Sequence, residues 1–428
     1  MMTTYAPSRL LPLIEHRIGK TAGAGLMMLT ADSTEYAGRQ VQIGGRVLLN
    51  FGGCSYLGLE QRPELNDAAV RAIRRYGTQF SYSRAYLQSP LYLQLESALE
   101  AMTGGFPLVA PSTTLAHMAA LPVLVHPGDA VLIDVFTHAS VKMATCLLDG
   151  IPVATVPHFD IDRLEQKIAR LACKHRRVWL LLDGLYSMYG DFAPVSDLAA
   201  LMQKYPTLHL YVDDAHSTSW LGKHGRGFIL EHFADRRRIV AVLSLNKAFS
   251  AGGGAVIFSD AEDRTRVQRC GGPMLFSGPV PPPMLGAAVA SAELHLRPDF
   301  SELQKGLTDR IDLVLSLARQ LDIRFVTNDR SPMFFVPCGE LEAMFRFAQG
   351  LRARGIYTCP GGFPAVPKGQ EGIRFTVSLS NTEMDIRHLM ESISSEQRNT
   401  KGRSDAPSGK RVRAATPSAR AVADGRSR

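Results

Sequence analysis

Tyr211-Val-Asp-Asp-Ala-His216 and, about thirty residues later, Val242-Leu-Ser-Leu-Asn-Lys-Ala-Phe249 decide how this chain is read. The first is an apolar strand pattern ending in two carboxylates and an imidazole; the second is another, ending in a hydroxyl and an amine. An acid, a His and a Lys at the ends of successive strands can together hold an aldehyde cofactor. The amine of Lys247 would form a Schiff base with it, and Asp213 would pair with its pyridinium nitrogen. Pyridoxal 5′-phosphate requires that arrangement.

Outward from these segments, β-rich runs alternate with helical ones from about residue 105 to 260. The strand candidates are Val131–Asp134, Val153–Val156, Val178–Asp183, Leu208–Asp213, Ile239–Ser244 and Ala255–Phe258. Such alternation predicts an α/β fold, a mostly parallel sheet with helices on both faces. Four of the strands end in Asp134, Asp183, Asp213 and Ser244, and the carboxyl ends of parallel strands are where open α/β sheets place ligands. Residues 300–395 read as a smaller α+β unit, with strands at Met333–Val336 and Ile373–Leu379. The expected division is an N-terminal segment to residue 60, a large domain 61–295, a small domain 296–395 and a tail 396–428.

With 428 residues, 45% hydrophobic and 21% charged, the chain has the composition of a globular protein with a sizeable core. No apolar run reaches the ~18 residues of a membrane helix. Met1-Met-Thr-Thr-Tyr-Ala-Pro lacks the basic-then-apolar order of a secretory signal. Six scattered cysteines never form a C-x-x-C pair, which fits free thiols in a reducing cytoplasm. The net charge of +8 does not mark a nucleic-acid binder, because nine Lys/Arg and two Asp from Arg398 onward carry +7 of it. That stretch, rich in Ser, Gly, Pro and Ala, reads as a disordered appendage. It could also dock an acidic carrier protein. No acid or further His stands at ligand spacing from Asp213-Asp-Ala-His216, so no metal is expected there.

Taken in order, the motifs resemble those of fold-type I pyridoxal-phosphate enzymes, and more narrowly the α-oxoamine synthases. They are Asn50-Phe with Tyr56-Leu-Gly-Leu59, Asp134 to Ser140, Asp183-Gly-Leu-Tyr-Ser-Met188, Asp213-Asp-Ala-His216 with Gly225-Arg-Gly227, Ser244-Leu-Asn-Lys247, Phe276-Ser277 and Arg374-Phe-Thr376. The likeness runs from about Leu48 to Met390. It implies a homodimer with shared active sites, joining an amino acid to an acyl thioester carried by coenzyme A or an acyl-carrier protein, with loss of carbon dioxide. The alternative within the same cofactor class is an aminotransferase.

The resemblance also implies roles. Lys247 would hold the cofactor and later take the Cα proton, and Asp213 would keep the pyridine nitrogen protonated. His216 and Ser187 would bond the ring's phenolic oxygen, and His138 would stack on the ring. Ser244, with Ser112, Thr113 and Thr114 at a helix start, would take the phosphate. Ser277 would reach the neighbouring subunit's phosphate, and Arg374 would clamp the amino acid's carboxylate. Each has a plainer reading: a surface Lys, a capping His138, a salt-bridged Arg374, an ordinary N-cap at Ser112.

Three departures stand out. Cys54-Ser55 occupies the place where the family has an Asn that helps bind the substrate carboxylate, and a thiol is a poor amide substitute. Ser112-Thr113-Thr114 replaces a glycine-containing phosphate loop. The ring-bearing Phe80 to Ser89 replaces a Gly-rich stretch, and is similar to that of the synthases that make α-hydroxyketone signals.

Overall fold

Every strand expected between 131 and 258 forms, and the reason they share one sheet lies in their composition. Runs such as Val178–Asp183 and Ile239–Ser244 are buried along their whole length, as strands covered by helices on both faces must be. In the computed structural model, which describes residues 10–33 and 35–404, the strands are as follows. A hairpin comprises β1 (Gln40–Ile43) and β2 (Arg46–Asn50). The large sheet is built from β3 (Phe106–Ala110), β4 (Ala130–Asp134), β5 (Val153–Val156), β6 (Val178–Asp183), β7 (Leu208–Asp213), β8 (Ile239–Ser244) and β9 (Gly254–Phe258). After them come β10 (Met333–Gly339), β11 (Ile356–Tyr357), β12 (Cys359–Gly361) and β13 (Glu371–Thr376).

The large sheet has the order β3-β9-β8-β7-β6-β4-β5. Its pairings from β5 to β8 are parallel, while β9 runs antiparallel to both β8 and β3. The fold is thus the α/β arrangement expected, with one strand, β3, that the sequence reading passed over. Strand β3 matters to the site. It runs the same way as β4 to β8, so the helix that follows it, Thr113–Leu124, starts at the edge where β6, β7 and β8 end.

A second sheet, β10-β13-β12, lies in the C-terminal part, and β11 joins the N-terminal hairpin by pairing parallel to β2. One core unites the two ends of the chain: Phe51, Tyr56, Leu57 and Leu59 pack with Ile311, Val314, Phe334, Phe375 and Leu389. The helix expected from Met284 to Leu296 runs Pro282–His295, its prolines standing in the first turn where no backbone N–H is needed. Two further helices, Phe300–Gln320 and Leu341–Ala353, flank the small sheet. The last helix, Glu383–Ser404, runs through the first residues of the expected tail; the remainder of that tail, 405–428, lies outside the described residues. No helix among the described residues is long and apolar enough to cross a membrane.

Candidate active site

Strands β6 and β7 are in direct register, Asp183 opposite Asp213, so two buried carboxylates end side by side. Their charges cannot both be comfortable there. Burial and the charge of Asp213 raise Asp183 well above the ordinary carboxylate range, although the His138 N–H donates to it at 3.0 Å. For Asp213, burial is outweighed by the charge and hydrogen bond of His117 and by Lys247, which hold the carboxyl well below its usual value. Asp213 is therefore the anion of the pair.

The residue that makes it so, His117, was missed at the sequence level. Alternation along β7 sets Tyr211 and Asp213 on one face, and the helix Thr113–Leu124 packs on that face. His117 bridges both, Nδ1 at 3.0 Å from the Tyr211 hydroxyl and Nε2 at 3.0 Å from Asp213 Oδ2. The other oxygen, Oδ1, accepts from the Ala215 N–H at 3.1 Å. One signal was available: an imidazole on the buried side of a helix whose residues 115–124 are otherwise apolar.

Asp214 has a different task. Its carboxylate accepts from Ser217 and from the Ile229 N–H at 2.9 Å, and burial pushes it up to about 6. Gly184 makes room for it: a Cβ there would lie 2.1 Å from Asp214 Oδ1. The Asp183-Gly and Asp213-Asp motifs thus interlock across adjacent strand ends.

Lys247 stands in the tight connection from β8 to β9, closed by Asn246 Oδ1 accepting from the Gly253 N–H at 2.8 Å. Burial draws its ammonium below the ordinary lysine value, against the opposing charge of Asp213 and then of Cys54. Its amine makes no hydrogen bond among the described residues. His216 is buried with Nδ1 at 2.8 Å from the Tyr56 hydroxyl, and burial keeps the ring neutral. His138 caps the helix Ala139–Thr145 through Nδ1, and its ring too is held neutral, chiefly by burial. His138 feels the charges of Asp213, Lys247 and His117, besides Lys142 of the helix it caps, so it belongs to the same cluster.

The outer members are placed as follows. Ser244 ends β8, its Oγ 3.3 Å from the Asn246 N–H. Ser112 caps the helix that Thr113 and Thr114 begin, its Oγ accepting from the Leu115 N–H at 3.2 Å. Gly254 lets that helix start approach β9, since a Cβ at 254 would meet the Thr113 nitrogen at 2.6 Å. Arg374 is buried; its Nε donates to the Ser187 carbonyl at 2.6 Å, and its Nη2 lies 3.0 Å from Met333 Sδ and 3.7 Å from Cys54 Sγ. Ser187 thus meets the site through its backbone. Ser277 is not brought to this cluster; among the described residues its hydroxyl has a local contact, with the Gly278 carbonyl.

The donor set fits pyridoxal phosphate. It offers a free amine of lowered basicity, a buried anion for a pyridinium, neutral imidazoles, and a helix N-terminus with hydroxyls for a phosphate. Asp134, the remaining strand-end acid, instead clamps His158 with Asp191, at 3.1 and 2.6 Å. Burial alone would discharge that ring, but the two carboxylates raise it to about 9 from 6.5. A raised folded value means stability present in full below pH 6.5 and lost as pH rises through about 9. Urea unfolding of His158→Asn should therefore show a deficit of at most about 3 kcal/mol at pH 6, less for partial solvation, shrinking as pH rises above 6.5 and gone above about 9. A deficit constant across that window would mean the ring is neutral in the fold.

Residues 46–393 match the family model described as aminotransferase class I and II. The 8-amino-7-oxononanoate synthase of Trichlorobacter lovleyi is 32% identical over 388 residues, covering 90% of this chain and 97% of the relative. That of Maricaulis maris is 32% identical, covering 86% and 91%. Among solved structures, the Sphingomonas wittichii serine palmitoyltransferase superposes with a TM-score of 0.84 at 22% identity, covering 93% of this chain and 99% of that one. The 8-amino-7-oxononanoate synthase of Francisella tularensis does so with 0.70 at 21%, covering 83% and 99%. A buried anion beside a free lysine at the carboxyl edge of this sheet, together with these relatives, places the chain in the aminotransferase class I and II family of pyridoxal-phosphate enzymes, and within it among the α-oxoamine synthases.

Proposed function

We propose that this protein is a pyridoxal-phosphate-dependent C-acyltransferase. It joins the Cα of an amino acid to the carbonyl carbon of an acyl thioester, releasing the thiol and carbon dioxide and leaving an α-aminoketone. The observation that carries this reading is Arg374, a buried guanidinium whose partners are a carbonyl and two sulfurs. A buried cation without a carboxylate is costly, and an amino acid's carboxylate would complete it. Its charge is felt at Lys247, so the carboxylate and the amine that handles Cα belong to one site.

Pyridoxal phosphate supplies, when bound, the electron sink that stabilises negative charge at Cα. The protein's residues do the rest. Asp213, fixed as an anion by His117 and the Ala215 N–H, would hold a proton on the ring nitrogen. His216 would face the phenolic oxygen, and His138 the ring. Ser244 and the Ser112–Thr114 helix start would take the phosphate. Lys247, its basicity lowered by burial, is suited to receive the Cα proton and return it. The relatives named 8-amino-7-oxononanoate synthase support an acyl thioester as second substrate.

The same reading makes the working unit a homodimer. Tyr82, Tyr86, Leu87 and Phe276 are exposed, and Ser83 Oγ ties their two segments together through the Leu275 carbonyl at 2.7 Å. That apolar face would be covered by a second copy, carrying Ser277 toward the partner's phosphate. Free cysteines throughout are consistent with a cytoplasmic setting.

The test is thiol release from a panel of acyl-coenzyme A and acyl-carrier-protein thioesters with a panel of amino acids. The expected result is release that needs both substrates and yields carbon dioxide. Formation of a keto acid from the amino acid without thiol release would make the enzyme an aminotransferase instead.

A further inference from the structure

The ionisable side chains Cys54, Tyr56 and Cys359 lie beside Arg374, and of these Cys54 is in hydrogen-bond contact with the guanidinium through its sulfur. It follows β2 in the N-terminal segment, half-buried, with Sγ 3.7 Å from Arg374 Nη2. Thr376 Oγ1, two residues beyond Arg374 on β13, donates to the Gly53 carbonyl at 2.5 Å, and its N–H donates to Phe51 O at 2.9 Å. These bonds pin the segment before Cys54 to the strand that carries the guanidinium. The groups that face the thiol are Arg374 from β13, Lys247 from the β8–β9 connection and Tyr56 from its own segment. Cys359 of β12 is the remaining neighbour, engaged with the Gly52 carbonyl at 3.4 Å. Burial pushes the Cys54 thiol up, but the charges of Arg374 and Lys247 and hydrogen bonds from Arg374 and Tyr56 outweigh it and hold it below the ordinary thiol value.

We propose that Cys54 is the internal counter-ion of Arg374: its thiolate balances the guanidinium until the amino acid's carboxylate displaces it, and covalent modification of that sulfur closes the carboxylate subsite. This rests on the reading of Arg374 as that subsite. It assigns Cys54 a role opposite in sign to a substrate contact. A thiolate that must be displaced weakens amino-acid binding, whereas a donor to the carboxylate would strengthen it. The trade is physically reasonable, because a guanidinium left buried with no anion would cost more than one paired with a soft sulfur.

Two measurements on the holoenzyme test this, and neither uses an acyl thioester. Iodoacetamide forms an S–C bond at Sγ as the C–I bond breaks and iodide leaves, and peptide mass spectrometry reads each cysteine separately. The exposed Cys146, Cys173 and Cys270 serve as references. Cys54 is expected to label despite its burial, and saturating L-alanine should slow it about tenfold while 2-aminopropane, which lacks the carboxylate, does not. Calorimetric titration of Cys54→Ser and Cys54→Ala with L-alanine should show binding tighter by roughly fivefold. Absence of labelling at Cys54, labelling indifferent to alanine, or weaker alanine binding by both variants would each overturn the proposal. Failure of the acyl-transfer reading would appear separately, as thiol release that no amino acid promotes.

Discussion

Lys247→Ala is expected to lose amino-acid-dependent thiol release by roughly 10⁴-fold or more, the scale seen when a covalent and acid–base residue is removed. Lys247 carries a primary amine, and its neighbours in the site include imidazoles and carboxylates. Burial draws it below the ordinary lysine value, against the charge of Asp213. A stoichiometric visible absorption band should appear when wild-type protein binds pyridoxal phosphate; borohydride should bleach it and leave the cofactor fixed to Lys247, located by peptide mapping. The variant should bind cofactor without that attachment. Retention of more than a few per cent of the activity, or attachment at another lysine, would remove Lys247 from the reaction.

The second large effect is expected at Asp213. Asp213→Asn keeps the size and the Ala215 N–H bond but removes the negative charge that a pyridinium needs. Thiol release should fall by about 10²–10³-fold, the loss typical of an electrostatic group aimed at developing charge. Equilibrium dialysis should also show weaker cofactor binding. His117 extends the argument, because Asp213 is anionic on account of His117 and not merely of its own chemistry. His117→Phe should move activity in the same direction by less, and lower cofactor affinity, since the Ala215 N–H and Lys247 remain. Equal activity in Asp213→Asn and wild type would mean that the ring nitrogen faces some other group.

Much of this was legible from order and spacing along the chain. An apolar run that ends in Asp213-Asp-Ala-His216, and another that ends in Ser244 before Lys247, place an acid and an amine at neighbouring strand ends once the runs are parallel. Parallel pairing follows from runs too apolar to leave a face in water, joined by segments long enough to be helices. That logic sufficed for the α/β class, for the edge of the sheet that carries the site and for the cofactor.

What it could not reach was which side chain lies against which. Strand β3 went unread because Phe106–Ala110 is short and begins with a proline at its second residue, so neither periodicity nor composition marks it. With β3 unread, the helix that begins at Thr113 could not be set on the face of β7, and His117 looked like any other histidine. Arg374 was placed at a carboxylate subsite by its motif, but its neighbours Met333 and Cys54 come from β10 and from the N-terminal segment, some 40 and 320 residues away. Local sequence determines what each element is and what chemistry it carries, because propensity, periodicity and turn chemistry act within a few residues. Which groups share a charge, a proton or a subsite was decided only by tertiary packing, because burial and Coulombic forces act through space between segments that the chain order keeps far apart.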